Sequence, residues 1–259
     1  MAPSHAQYEL LYHPGIPGRG EFIRLAFEAK GVAYTDVANE QKDGYSTVQA
    51  VCMNKGTESV DGNPPVFSSP ALRIPGAGLD GQALVIAQTP NILWYLGEKL
   101  GLVPDDEGGK YHVQQVALTA LDLTNETHDT HHPLAVMQYY EDQKEAALAK
   151  AKDVRENRIP KYLSYFSRVL EHNAPHGKRK FLVGSYLTYA DTTVWQVLNG
   201  LLFAFPKEME ARRKEFPALF EELYPAVQEV EGIRQYLASE RRLAYSSGVF
   251  RYYPELDRQ

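Results

Sequence analysis

The chain has 259 residues, of which 44% are hydrophobic and 23% are charged, and its formal net charge is -6. This composition is typical of a soluble globular protein and excludes a largely disordered chain, and the length leads us to expect two domains. The negative charge argues against nucleic acid as a partner, because phosphate binding requires clustered positive charge.

The chain contains a single cysteine, Cys52. One cysteine excludes an internal disulfide and a CxxC redox pair, so nothing in the sequence requires an oxidising compartment. The N-terminal segment lacks the basic start and apolar run of a leader peptide, and no apolar segment reaches the length of a membrane span. We therefore expect a cytoplasmic protein that has no membrane partner.

The N-terminal part of the chain opens with the pattern of a β-α-β unit. Residues 7–12 (QYELLY) are β-prone, and residues 22–29 place apolar side chains at helical spacing before Gly31, which is suited to end a helix. A second strand over 32–37 completes the unit, which usually contains a parallel pair. Residues 39–68 show no clear period and predict a long loop with room for one short helix.

A hairpin and a helix are predicted next. The apolar runs 71–74 and 83–87 are joined by a glycine-rich connection, which is typical of an antiparallel hairpin. Thr89 and Pro90 then suit the N-cap and the first position of a helix. Residues 101–110 combine proline, glycine and acidic residues between two periodic regions, and we interpret them as a linker.

Beyond this linker the pattern is helical to near the C-terminus. We therefore expect an α/β domain over 1–100 and an all-helical domain with a C-terminal tail over 111–259. The second domain contains a predicted helix over 145–173, in which Pro160 is a kink. Residues 188–191 (TYAD) predict a capping box at the start of a buried helix.

Four stretches of the chain are similar to the cytosolic glutathione transferases. They are LLYHPGIPGRGEFIRL (10–25), SSPALRI (68–74), IAQTPNILWYLGEKLGL (86–102) and FLVGSYLTYADTTVWQVL (181–198). The last two, in this order and at this separation, are the more specific. The resemblance covers nearly the whole chain and suggests the tyrosine-type enzymes and, from the insertions and the ending, a fungal-like branch.

The resemblance implies a fold, a co-substrate and an assembly. The expected fold is α/β followed by all-α, with an N-terminal thioredoxin-like domain and an all-helical C-terminal domain. Glutathione is the expected co-substrate, a small hydrophobic electrophile is its partner, and no metal is expected. The resemblance also implies a homodimer.

Glutathione is placed by the resemblance against Ser69, Pro70, Gln88 and Thr89. A cis bond before Pro70 would turn the backbone of Ser69 toward a peptide ligand, which then pairs with it like an added strand. The segment 63–65 (NPP) is a rival position for the cis bond, but Pro70 leaves a shorter insertion before Gln88. Thr89 at a helix N-terminus offers backbone N–H groups to the γ-glutamyl carboxylate.

Tyr12 is the candidate catalytic residue, because in the resemblance its hydroxyl donates a hydrogen bond to the glutathione sulfur. A thiol with a pKa of about 8.5 is only a few per cent thiolate near pH 7. A hydrogen bond worth roughly 1.5–3 kcal/mol lowers that pKa by about 1–2 units and raises the reactive fraction about tenfold. The alternative is that Tyr12 only packs in the core. Tyr8 is the nearest substitute, but it lies too early on the strand.

Three charged residues complete the glutathione site that the resemblance implies. Arg19 either reaches the glycyl carboxylate or holds its loop by hydrogen bonds to carbonyl groups. Lys55 lies where the family often places a basic residue for the same carboxylate, with a solvated surface charge as the alternative. Glu126 matches a position that approaches the glutathione amino group across a dimer interface, and an exposed helical glutamate is its alternative.

Histidines are assigned to the pocket for the hydrophobic substrate. His128 and His132 lie one helical turn apart, which is also a spacing used for metal binding. No third ligand is evident in the sequence and Pro133 follows at once, so we expect no metal. We place His13, His128 and His132 along the substrate pocket instead, with plain helix surface as the alternative for His128 and His132.

The sequence thus predicts a glutathione transferase that conjugates the thiol to hydrophobic electrophiles. Two alternatives remain open on the same fold. One is a non-catalytic carrier of hydrophobic ligands, and the other is a glutathione-dependent isomerase or ether-cleaving enzyme.

Overall fold

A computed structural model gives the structure of residues 7–56, 60–177 and 180–259. In this part of the chain four strands form one mixed sheet in the order β2-β1-β3-β4. The strands span Glu9–Leu11 (β1), Thr35–Asp36 (β2), Ala71–Ile74 (β3) and Leu84–Ala87 (β4).

Strand β1 lies at the centre of the sheet. It runs parallel to β2, with Leu10 opposite Asp36, and antiparallel to β3, with Leu10 opposite Leu72. Strand β3 pairs antiparallel with β4. The predicted β-α-β unit and the predicted hairpin are therefore confirmed. The second strand is shorter than the predicted range 32–37, because Val37 already begins a helix.

Among the described residues four α-helices pack beside this sheet, and they span Gly20–Lys30 (α1), Val37–Glu40 (α2), Gly44–Cys52 (α3) and Thr89–Leu100 (α4). Helix α1 ends at Gly31, whose φ of 61° is in the left-handed region that glycine adopts without steric cost. Helix α3 is the short helix for which the segment 39–68 had room, and it buries Val48 and Cys52.

Helix α4 begins differently from the prediction. Gln88, not Thr89, is the N-cap, and Thr89 is the first helical residue. Gln88 has a φ of 71°, so the chain turns sharply from β4 into the helix at this residue. A positive φ is uncommon in residues other than glycine and indicates a local constraint on the backbone. The prediction of Thr89 as N-cap was wrong because this turn occurs one residue earlier.

Helices make up the rest of the ordered structure, as predicted, and in the described ranges they span Glu107–His128 (α5), Lys144–Asp153 (α6), Ile159–Gly177 (α7), Tyr189–Ala204 (α8), Pro206–Glu215 (α9), Tyr224–Gln228 (α10) and Glu231–Leu237 (α11). Helix α5 starts inside the segment 101–110, where the Asp106 carboxylate accepts the Gly109 N–H at 2.6 Å. A π-helical turn, Val154–Arg158, separates α6 from α7 just before Pro160.

The sheet with its helices is a thioredoxin-like domain, and an all-helical domain follows it, so the predicted fold class is confirmed. Helix α8 is central to the second domain, and its Trp195 and Tyr189 side chains are fully buried. It packs against α5 of its own domain and against α1 of the first domain. None of the helices in the described ranges combines the length and the apolar character that crossing a membrane requires.

The start of α8 is held by the predicted capping box. The buried Asp191 carboxylate accepts the N–H of Thr188 at 2.7 Å and its hydroxyl at 2.8 Å. It also accepts the N–H of Leu182 at 2.7 Å, which ties the preceding loop to the helix. The carboxylate therefore satisfies backbone donors that would otherwise be buried without a partner.

Asp191→Ala is expected to lower the free energy of unfolding by about 1–3 kcal/mol, because two buried N–H groups lose their acceptor. Urea denaturation followed by circular dichroism measures the change. The control is Asp106→Ala at the exposed N-cap of α5, where water replaces the lost acceptor and a smaller loss is expected. Equal losses in the two variants would show that burial of the Asp191 hydrogen bonds does not increase their contribution to the free energy of unfolding.

Candidate functional site

A cleft of about 570 Å³ lies between the thioredoxin-like domain and α5. On one side are the segment 67–70, the segment 88–90 and Arg19, and on the other are side chains of α5. The cleft thereby brings together five of the residues predicted to hold glutathione, which are Arg19, Ser69, Pro70, Gln88 and Thr89.

The peptide bond between Ser69 and Pro70 is cis, and it is the only cis bond in the described ranges. This confirms the predicted position against the rival 63–65. The hydroxyl oxygens of Ser69 and Thr89 are both buried and have no hydrogen-bond partner among the described residues. Buried polar atoms in native proteins are nearly always paired, so two orphaned hydroxyls in one cleft suit a polar ligand.

The N-terminus of α4 faces the same cleft. Gln88 and Thr89 line it, and the twelve-residue helix that follows carries unpaired backbone N–H groups in its first turn. These groups and the positive end of the helix dipole favour a negatively charged ligand group. A carboxylate is the ligand group that fits this end of the cleft.

Tyr12 follows β1 and is buried, with 5% of its surface exposed. Its hydroxyl accepts the backbone N–H of Arg19 at 2.9 Å. Gly18 in the loop and Gly20 at the start of α1 are required by this packing. A Cβ at Gly18 would lie 2.2 Å from the hydroxyl oxygen, and one at Gly20 would lie 2.6 Å from the ring. The loop therefore folds over the tyrosine ring, and Tyr12 is not among the residues that line the cleft.

The hydroxyl of Tyr12 keeps its proton at neutral pH. Burial raises its pKa, against the opposing effect of the hydrogen bond from the Arg19 N–H. Because that N–H occupies an acceptor position of the oxygen, the hydroxyl proton is still available for donation. Tyr12 is thus equipped to donate a hydrogen bond but not to act as a base.

Arg19 links the Tyr12 loop to the helical domain. Its guanidinium donates to the side-chain oxygen of Asn125 on α5 at 2.7 Å and places a positive charge in the cleft. Neither of the two roles considered from the sequence included this contact. Arg19 and Asn125 are 106 positions apart in the sequence. The only sequence signal for Asn125 was that it lies on one side of the predicted helix α5.

Lys55 and Glu126 do not line the cleft. Lys55 is exposed. Glu126 faces the π-helical turn and the start of α7. Arg158 of the turn donates two hydrogen bonds to its carboxylate at 2.7 Å, and the Tyr162 hydroxyl of α7 donates a third at 2.7 Å. Against the opposing effect of partial burial, these bonds lower the pKa of Glu126. Within one chain Glu126 is therefore an ion-pair partner of Arg158, and its approach to glutathione across a dimer interface stays a prediction.

The predicted pocket histidines also lie outside the residues that line the cleft. One ring nitrogen of His13 is 3.2 Å from the Tyr45 hydroxyl. His128 and His132 stack on each other at the end of α5, with ring centroids 4.8 Å apart. The structure adds a third histidine to this pair, His131, which is 1% exposed and which the sequence interpretation did not count as a ligand.

Comparison with known proteins gives a consistent picture. Residues 128–240 match the family model described as "Glutathione S-transferase, C-terminal domain". The chain is 28% identical to glutathione S-transferase P 1 of Xenopus laevis over 204 residues, which are 79% of this chain and 81% of the relative. It is 22% identical to a glutathione S-transferase of Plasmodium falciparum over 240 residues, which are 91% of this chain and 98% of that relative.

Among solved structures, the sigma class glutathione transferase of Fasciola hepatica is similar, with a TM-score of 0.66 and 19% identity. The match covers 93% of this chain and 98% of that structure. At this identity the likeness shows the fold alone. In sequence this chain is therefore similar to glutathione S-transferases, and the likeness to the solved structure shows that it has the same fold.

Proposed function

We propose that the protein is a glutathione transferase of the tyrosine type that conjugates the thiol of glutathione to hydrophobic electrophiles. The observation that carries this proposal is the cleft, in which the cis Ser69–Pro70 peptide, two orphaned hydroxyls, the N-terminus of α4 and the Arg19 guanidinium face one space. A short peptide with a carboxylate at each end matches these groups. The fungal-like branch and a cytoplasmic location are parts of the same proposal.

Each group has a role in holding the tripeptide. The backbone of Ser69 pairs with the peptide part of glutathione, as in strand addition. Gln88 and the first N–H groups of α4 hold the γ-glutamyl carboxylate. Arg19 supplies positive charge to the same cleft for the second carboxylate.

Tyr12 is the proposed donor to the sulfur. The thiol loses its proton to solvent, and the hydroxyl of Tyr12 stabilises the thiolate by a hydrogen bond while keeping its own proton. The thiolate sulfur then attacks the electrophilic carbon, and a carbon–sulfur bond forms as the leaving group departs or the double bond takes up a proton. No group of the protein becomes covalently attached.

The first test is glutathione binding and turnover in one preparation of the full chain. Isothermal titration measures binding, and consumption of glutathione with a generic aryl halide electrophile measures conjugation. Binding with turnover supports the proposal. Saturable binding of hydrophobic ligands without turnover would favour the carrier, and turnover of an isomerisable substrate without loss of glutathione would favour the isomerase.

We also propose a homodimer that uses the apolar surface beside the cleft. Phe67 is 94% exposed and Met137 is 93% exposed. Leu134 and Val136, close to Met137 in sequence, are exposed as well. Contiguous exposed apolar surface is a mark of an interaction site. Phe67 and Val136 both line the cleft, so a partner seated here would border the glutathione site.

Phe67→Ser is therefore expected to shift the dimer toward monomer, with a loss of affinity of about tenfold or more because a large aromatic contact is removed. Light scattering coupled to gel filtration over a dilution series measures the equilibrium. Leu79→Ser, at an 82% exposed leucine in the hairpin connection, is the matched control. A dimer that is equally stable in both variants would place the interface elsewhere.

A further inference from the structure

Three histidines at the C-terminal end of α5 form a cluster that the proposed transferase reaction does not use. One nitrogen from each of the rings of His128, His131 and His132 lies within 4.8 Å of the corresponding nitrogens of the other two. From the arrangement of these rings we propose that the cluster is a binding site for a divalent transition metal ion, with Zn²⁺ the first candidate. The proposal is independent of the transferase proposal.

The hydrogen bonds around the cluster prepare the rings for metal binding. The His131 Nε2 is 3.0 Å from the Val249 carbonyl, and the His132 Nδ1 is 2.8 Å from the Gln138 carbonyl. A carbonyl can only accept, so these two nitrogens carry the protons and the other nitrogen of each ring holds a free lone pair. Metal-binding histidines are oriented by outer-shell partners of this kind.

His131 provides the second observation that points to a ligand. Its side chain is buried, and its Nδ1 has no hydrogen-bond partner among the described residues. A buried acceptor without a partner is costly, and a metal ion would satisfy it. For His128, the Asp129 carboxylate lies 3.5 Å from Nδ1, which leaves Nε2 for the metal.

Coordination requires the three rings to move closer together than the 4.8 Å that now bounds their spacing. With zinc–nitrogen bonds of about 2.0–2.1 Å, tetrahedral geometry puts the ligand nitrogens about 3.4 Å apart. His128 is half-buried, so its side chain has room to rotate and its exposed edge gives the ion a route of entry. Three protein ligands leave a fourth position for water.

Positive charge near the three histidines is expected to lower their affinity for a metal ion. Arg19 and Arg251 lie close enough to act electrostatically on His128 and His131, respectively. Their repulsion disfavours a cation, so we expect a Kd in the micromolar range rather than the tighter binding of closed structural zinc sites. Through the Val249 carbonyl, the ion would also brace the C-terminal tail, whose Gly248 packs on Gly18 of the Tyr12 loop.

The test uses the full chain without a histidine tag, stripped with a chelator and then titrated with Zn²⁺ by calorimetry. We expect one Zn²⁺ per chain, a tetrahedral visible spectrum with Co²⁺, and a melting temperature that rises by about 5–10 °C at a hundredfold excess over Kd. His128→Asn and His131→Asn are each expected to weaken binding at least tenfold. Melting of the metal-free variants checks that they fold, and the half-buried His128 is the safer of the two positions.

The matched control is His172→Asn, because His172 and His176 form another pair one turn apart on α7 and both are exposed. This variant is expected to bind Zn²⁺ as the wild type does. Binding that survives His128→Asn, binding that is lost in His172→Asn, or no binding below millimolar Zn²⁺ would each overturn the proposal. If His131→Asn fails to fold, the comparison of His128→Asn with His172→Asn still decides it.

Discussion

Tyr12→Phe is expected to lower the rate of conjugation near pH 7 by about tenfold or more and to raise the pKa of the glutathione thiol in the complex by about 1–2 units. Affinity for glutathione is expected to change little, because the residues proposed to hold the tripeptide are untouched. The physical reason is the loss of one hydrogen bond that is stronger to the thiolate than to the thiol.

The packing around Tyr12 lets the Tyr12→Phe variant remove the hydroxyl without changing the space that the ring fills. The Tyr12 ring is enclosed by Gly18 and Gly20, so phenylalanine fills the same space. The lost hydroxyl leaves one backbone N–H, that of Arg19, without its acceptor. A modest drop in stability is therefore expected, and melting temperature must be measured beside activity to separate the two effects.

Titration of the thiolate absorbance in the ultraviolet measures the thiol pKa in the complex with glutathione. Tyr8→Phe is the control, since Tyr8 is equally buried at 5% and packs on Phe27 at the other end of β1. It is expected to leave both the pKa and the rate unchanged. If Tyr12→Phe also leaves the thiol pKa unchanged, Tyr12 is a core residue.

A further variant, Arg19→Gln, identifies the source of activation in that case. Arg19 carries the cleft's positive charge beside the Tyr12 loop, so loss of the pKa shift in this variant alone would assign activation to the guanidinium. An unshifted thiol pKa in the wild type would remove the activation step altogether and make the carrier of hydrophobic ligands the function to pursue.

Glu21→Gln is expected to lower the free energy of unfolding by about 3–5 kcal/mol. The Glu21 side chain is fully buried in α1 and pairs with Arg24 at 3.1 Å and with Arg242. The Tyr236 hydroxyl donates to the same carboxylate at 2.8 Å. Removing the charge leaves the buried Arg24 with Asp36, 2.8 Å away, as its remaining carboxylate. The half-buried Arg242 keeps hydrogen bonds to neutral groups, the side chains of Gln196, Asn199 and Tyr245.

Urea denaturation measures this loss, and an exposed ion pair provides the control. Glu231 and Arg234 pair on α11 with 64% of each side chain exposed, so Glu231→Gln is expected to destabilise the protein far less than Glu21→Gln does. Similar losses in both variants would mean that burial does not amplify the Glu21 interactions.

The location of Glu21 gives this prediction a structural consequence. The carboxylate lies in the thioredoxin-like domain, whereas Tyr236 and Arg242 belong to the C-terminal part of the chain. We expect Glu21→Gln to loosen the contact between the two domains as well. Hydrogen exchange at α1 and α11 would show this as faster exchange in both helices.

Local patterns in the sequence were sufficient for most of the elements. The β-α-β unit, the hairpin, the glycine that ends α1 and the capping box at residues 188–191 depend on contacts between near neighbours in the chain. Such features follow from residue type and spacing, because their geometry is closed within a few residues. The turn at Gln88 was missed because a positive φ at a glutamine has no sequence signal.

The sequence by itself determined the class of fold. Through the resemblance it carries, it also predicted as glutathione ligands Ser69, Pro70, Gln88 and Thr89, which line one cleft. Only the tertiary structure decided what surrounds the other candidates. It enclosed Tyr12 under its own loop, joined Arg19 to Asn125, turned Glu126 toward Arg158 and brought His131 to the pair formed by His128 and His132. These outcomes depend on side-chain packing and on contacts between distant segments, and for such contacts the spacing of residues along the chain carries no information.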